Sequence, residues 1–174
     1  MYMESEDKEL PLHLVKSIDN KDLTKILDTM RVFLKKEEGT IKLFKEYDMS
    51  IDEIDYIPMR FDDIDVSAKT SKGIIIFSFA LLQDADFFED YSYARHELVH
   101  YAQQTTGNGP TKSLDDEDYL ENPNEIEGFQ HQIEFIHSHH GEDKAEEYVN
   151  DLLEYHDHPE KDKKKLKKLL KNKI

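Results

Sequence analysis

Gly73-Ile74-Ile75-Ile76-Phe77-Ser78-Phe79, followed after an acidic stretch by Tyr91-Ser92-Tyr93-Ala94-Arg95-His96-Glu97-Leu98-Val99-His100, decides the reading of this chain. The first segment is a β-branched and aromatic run opened by glycine, which is the texture of a strand. After Asp84 the apolar spacing becomes helical and holds to Gln104, until Gly107-Asn108-Gly109-Pro110 breaks it. A strand leading into a helix that carries two histidines four residues apart therefore forms the middle of the fold.

Upstream, Ile54 to Phe61 is rich in β-formers and Asp65 to Thr70 alternates. With the run at 74–79 they predict a small three-stranded sheet, an antiparallel meander or a mixed one, joined by turns at Asp62-Asp63 and Ser71-Lys72-Gly73. Pro58 cannot donate to a ladder, which places its strand at an edge or a bulge. Further upstream, Leu23, Ile26, Leu27, Met30, Phe33 and Leu34 predict an amphipathic helix over 22–36, with Asn20 as N-cap and Gly39 as stop. Ile41, Leu43, Phe44 and Tyr47 suggest a shorter one after it.

Downstream, residues 107–121 read as a polar, acidic loop. Asn122-Pro123 opens a helix to about His137, and Glu142 to Tyr155 makes another. No repeat is visible, and helices, a small sheet and more helices make an α+β chain. The expected organisation is a flexible acidic arm at 1–10, one domain at 11–158 and a basic tail at 159–174.

The 174 residues suit a single core. There is no cysteine, so disulfides, thiolate metal sites and a cysteine nucleophile are excluded, and any metal must be held by His, Asp or Glu. The net charge of −16 conceals an asymmetry: residues 161–174 hold eight lysines and one acid, a net +7, so residues 1–160 carry −23. Nucleic acid is a poor partner for that body, and only the tail, a frayed or a docked helix, suits acidic surfaces. The N-terminus is acidic where a secretory signal is basic, and no apolar run reaches the ~20 residues of a membrane span, so a cytoplasmic location is expected.

His96-Glu97-Leu98-Val99-His100 is the H-E-x-x-H pattern. Histidines at i and i+4 share a helix face and can hold one ion, zinc by ligand type although other divalent metals accept imidazole, with the glutamate beside it. A catalytic zinc takes a third protein ligand and keeps one position open. The next helix offers Glu125 and Glu127. Asn122 with Glu125 three residues on is also a capping box, in which case Glu125 satisfies backbone donors and Glu127 takes the metal.

These motifs resemble compact zincin metallopeptidases of the gluzincin kind, particularly small phage and bacterial ones with H-E-L-x-H, a tyrosine-containing loop and P-x-E-x-E-A. Here the matching residues are His96 to His100, Tyr119, and Pro123-Asn124-Glu125-Ile126-Glu127-Gly128, within about half of the chain, Ile54 to Ile136. The resemblance implies a zincin-like fold, one zinc ion per chain on His96, His100 and Glu125, and a peptide or protein substrate. It departs at Gly128, where alanine is usual, and at Phe129, where larger gluzincins carry an acid that orients a histidine. Support for the histidines must come from elsewhere; Glu127, Asp90, Asp116 and Asp118 are the candidates. A metzincin is excluded by Gln103 and Thr106, and a peptide deformylase by the missing cysteine.

In this reading Glu97 is the general base for a zinc-activated water, and Tyr93, Tyr119 or a later histidine donates to the oxyanion. The strand at 74–79 either borders the cleft and pairs with an extended substrate or is a core strand without a free edge. His131, His137, His139, His140, His156 and His158 read as mostly surface residues, with His139 or His140 the exception if that turn folds over the zinc. The aromatic residues of 129–155 read as core. The alternative function is a catalytically inactive, zinc-stabilised acidic protein that binds a partner or mimics nucleic acid.

Overall fold

A computed structural model describes residues 9–84, 86–111, 122–156 and 160–174. Its elements are α1 (Leu12–Lys16), α2 (Asn20–Lys36), α3 (Glu38–Glu46), β1 (Met59–Asp62), β2 (Ala68–Ser71), β3 (Ile74–Ser78), α4 (Tyr91–Thr106), α5 (Pro123–His140), α6 (Glu142–Tyr155) and α7 (Glu160–Leu170). The α+β expectation holds. The arm at 1–8, Tyr119, Asp116, Asp118 and His158 lie outside the described residues.

The meander does not form. The strand order is β1-β3-β2, with β1 parallel to β3 and β2 antiparallel to it. The reason lies in β3, whose Ile75, Ile76 and Phe77 are all buried, so that it takes the centre, where both faces are covered. β2 and β3 meet through a tight turn in which Lys72 and Gly73 have φ of 53° and 77°, the positive pair of a type I′ hairpin. Pro58 precedes edge strand β1, as a residue without an N–H requires, and its carbonyl accepts from Ile75 N at 3.0 Å.

Asp19, one residue before the expected cap, caps α2 by accepting from Lys21 N at 2.6 Å. Gly39 does not end that helix. Glu37 does, and its side chain also caps α3, accepting from Thr40 N at 2.8 Å. Gly39 sits inside α3, where a Cβ would come within 2.6 Å of Glu134 Oε1 and 2.8 Å of Arg95 Cζ. The glycine is a close-approach position for buried Arg95, and its value is space rather than termination.

Two apolar clusters flank α5. The larger joins Met30, Leu34, Phe44, Ile57, Phe77, Leu98 and Phe135 from α2, α3, the segment before β1, the sheet, α4 and α5 itself. The smaller joins Phe129, Ile133, Val149, Leu153 and Leu170 from α5, α6 and α7. The lysine-rich segment is therefore a docked helix: Leu170 is buried, Gln130 Nε2 donates to Leu169 O at 2.9 Å, and Lys167 and Lys171 both pair with Glu146. Among the described residues no helix is long and apolar enough to cross a membrane.

Candidate metal centre

α4 and α5 lie side by side, and their facing residues form the site. α4 ends at Gly107 in the left-handed region (φ 71°), with its N–H on Gln103 O. α5 begins with Pro123 in its first turn and Asn122 as cap, accepting from Asn124 N at 2.9 Å. The cap is thus as the sequence predicts, but the Glu125 carboxyl is turned to the histidines.

His96 Nε2 lies 3.1 Å from His100 Nε2 and 3.2 Å from Glu125 Oε1, and His100 Nε2 lies 3.1 Å from Glu125 Oε2. His96 and Glu125 are buried and His100 is half-buried, and these three form a cluster able to hold a metal ion. Ligand atoms held tetrahedrally at zinc's usual ~2.0–2.1 Å stand about 3.3 Å from one another, so the spacing fits such an ion. The chemistry fits as well: two neutral imidazole nitrogens and a carboxylate present only lone pairs to one another, and a cation is what reconciles them. Burial alone would lower the His100 pKa, but Glu125 and the charge of Glu97 raise it to about 9. Burial opposes ionisation of Glu125, yet both histidines hold its carboxyl well below the usual range. Without an ion, a proton takes the cation's place.

Glu127 is not in the cluster. Its carboxylate accepts from Tyr47 Oη and, at 3.1 Å, from Gln103 Nε2. The partners of the histidine Nδ1 atoms are two glutamines, Gln132 Oε1 on His96 at 2.9 Å and Gln103 Oε1 on His100 at 2.8 Å. Neither was among the expected supporting residues. Gln103 lies three residues after His100, and Gln132 seven after Glu125, so helical spacing was the signal that could have found them. Asp90 lies elsewhere, buried beside a small cavity between α4, α5 and α6, and burial with a nearby Asp84 pushes its carboxyl up to about 9.

No protein-family profile, curated protein or solved structure matches the chain.

A cleft of about 710 Å³ opens over the cluster, with residues 65–70 on one side and Tyr148, Leu152, Tyr155 and His156 of the α6 segment on the other. Glu97 lines it, and its Oε1 accepts from Thr70 Oγ1 of β2 at 2.9 Å. Tyr93 lines it too, and burial raises its hydroxyl pKa despite a hydrogen bond to Ser67. Tyr148 is half-buried core and cleft wall at once. Burial raises its hydroxyl well above the ordinary value, and it bonds Gln132. Both phenols stay protonated donors near neutral pH. The later histidine on the cleft is His156, whereas His139 pairs with Glu37 at 3.0 Å and His140 packs on Phe88 and Phe135. His131 is buried rather than on the surface. As a central strand β3 has no free edge; β2 is the strand at the cleft.

Gly128 stands against His96, where a Cβ would meet Nε2 at 2.7 Å and Cδ2 at 2.9 Å. Alanine has the better helix propensity by about 1 kcal/mol, so Gly128→Ala is not a folding defect by that criterion. It displaces the ring, and a drop of at least roughly tenfold in zinc affinity is expected, within the range for disturbed ligand support. Competition against a chelator measures it, and an unchanged dissociation constant would mean that the ring has room to yield.

Proposed function

We propose that this protein is a metal-dependent peptidase of zincin type in which His96, His100 and Glu125 hold zinc and Glu97 is the general base. The observation that carries the reading is the convergence of those three ligand groups on the floor of a cleft that Glu97 also lines. Zinc in such a site supplies Lewis acidity and lowers the pKa of water toward 7. The chain's own residues do the rest. Thr70 fixes the Glu97 carboxylate, which takes a proton from the attacking water and passes it to the leaving amine. Tyr93 and Tyr148 are the donors available to a developing oxyanion, with Tyr148 tied to Gln132 and so to the His96 ring. An extended peptide pairs with edge strand β2, which binds main chain irrespective of sequence.

Metal content by mass spectrometry tests the centre. One zinc per wild-type chain is expected, lost in His96→Ala and Glu125→Ala and retained in part in Glu127→Ala. No zinc after reconstitution of the wild type would overturn the proposal. Below about 9 the metal-free His100 is protonated, so binding zinc expels a proton. Affinity is therefore expected to rise about tenfold per pH unit between pH 6 and 8, with about one proton released. A pH-independent affinity would show that His100 is not a ligand.

A further inference from the structure

We infer that Tyr47, Glu127 and Gln103 form a positioning chain that holds His100 in its metal-binding tautomer, with Nδ1 protonated and the Nε2 lone pair turned toward Glu125 and His96. The inference rests on the metal-site reading for its purpose, but its geometry stands by itself.

The argument starts at the amide of Gln103, which is 2% exposed. Its Nε2 lies 3.1 Å from the Asn124 carbonyl oxygen and 3.1 Å from Glu127 Oε1. A carbonyl and a carboxylate only accept, so the amide must present its NH₂ to them; the reverse orientation would set oxygen against oxygen twice. Gln103 Oε1 is therefore the atom 2.8 Å from His100 Nδ1. An oxygen acceptor there requires Nδ1–H, and a neutral imidazole has a single N–H, which leaves Nε2 bare. Two acceptor-only groups on one side of a glutamine thus dictate the tautomer on the other.

Glu127 is held in turn by the hydroxyl of Tyr47, the residue that caps the C-terminus of α3. Tyr47 is buried, and burial with the hydrogen bond to Glu127 and its charge pushes the phenol well above its ordinary value, so it remains a donor. The chain begins in the N-terminal helices, crosses to α5 and ends on a ligand of α4. It also carries charge. A carboxylate one amide away from His100 favours positive charge on that ring and raises its basicity as a ligand. His96 lacks this backing: behind Gln132 stand only the hydroxyls of Ser92, 3.4 Å from Nε2, and Tyr148, and a hydroxyl both donates and accepts and fixes neither amide orientation nor charge. Glu125 and Glu127 divide the work, the first facing the ion site and the second the outer chain.

The test uses the full chain with two readouts. Zinc affinity by chelator competition is expected to fall roughly 10- to 100-fold in Gln103→Leu and in Glu127→Gln, and less in Tyr47→Phe. Long-range proton–nitrogen NMR on metal-free protein, with the pH raised until the spectrum shows a neutral imidazole, reads the tautomer directly. His100 is expected as Nδ1–H in the wild type and as Nε2–H, donated to Glu125, in Gln103→Leu. A purely structural role for Gln103 would not move that signature. Wild-type His100 as Nε2–H, or affinities within twofold of wild type in Gln103→Leu and Glu127→Gln, would overturn the inference. Should the wild type take up no zinc, the metal reading fails while the metal-free tautomer still decides the chain.

Discussion

Glu97→Gln is expected to keep zinc at the wild-type level and to lower the turnover of a peptide substrate by about 10²–10⁴, the contribution of a positioned general base. The fold has little reason to respond. Glutamine is the same size, and its amide oxygen accepts from Thr70 Oγ1 as Glu97 Oε1 does at 2.9 Å, while the second Thr70 bond goes to the Glu97 main-chain oxygen at 3.1 Å. The metal has little reason to respond either, because Glu97 is outside the His96, His100 and Glu125 cluster. What changes is the proton acceptor in the cleft. The measurement is metal content together with kcat/KM on a peptide pool read by mass spectrometry. Undiminished turnover would remove Glu97 from the base role. A protein acting through its acidic surface instead loses one charge of 39 acidic residues, and its partner binding stays intact.

How far the site could be read from the sequence follows from which interactions are local. His96, Glu97 and His100 fall within little more than one turn of a single helix, and the structure brings the two histidines together as that spacing requires. Glu125 against Glu127 was not decidable locally, because the capping box and the ligand reading use the same Asn122 to Glu125 spacing. The difference arises across space: Tyr47, eighty residues away, occupies Glu127, and Glu125 is the carboxylate beside the two histidines. The glutamine partners of the histidines are not legible from residue type, because support for a metal-binding histidine is commonly an acid, whereas at His100 the acid stands behind an amide.

The fold shows the same division. α6 runs from Glu142 to Tyr155 as its periodicity predicts, since amphipathic spacing is a local property. Three strands form, but the first begins only at Met59 because Ile51–Tyr56 winds into a 3-10 helix capped by Ser50, and the strand order does not follow chain order. A segment as apolar as 74–77 must be covered on both faces, and that requirement, rather than the short connections, sends β3 to the centre between β1 and β2. Gly39 reads as a helix stop on propensity alone; the guanidinium that needs its missing side chain comes from residue 95, which no local rule connects to it.

Arg95→Met is expected to destabilise the chain by about 3–5 kcal/mol, the cost of breaking a buried ion pair from one side. Arg95 is fully buried, and its guanidinium spans two elements, Nη2 to Glu37 Oε1 at 2.5 Å and Nη1 to Glu134 Oε1 at 2.7 Å, with Cζ 5.4 Å from the centroid of the Phe135 ring. Burial would push the Glu37 carboxyl up, but Arg95, Thr40 and His139 together hold it down at about 2. A depressed carboxylate contributes stability that is complete above its ordinary value of 4.5 and is lost as the pH falls toward 2. Removing Arg95 therefore leaves an ionised, buried Glu37 at pH 7 with its main compensation gone. Urea unfolding of the chelator-treated protein at pH 7 isolates this effect from metal binding. Arg95→Lys recovers little, because one ammonium cannot serve two carboxylates in fork geometry. Arg95→Met with Glu37→Gln recovers part of the loss, since the stranded charge is then gone. A single Arg95→Met variant with the wild-type midpoint would mean that the ion pairs only break even against an apolar side chain. Because Arg95 adjoins His96 on α4 and grips α5 through Glu134, the same variant is expected to loosen the pairing of the two helices that bring the histidines to Glu125.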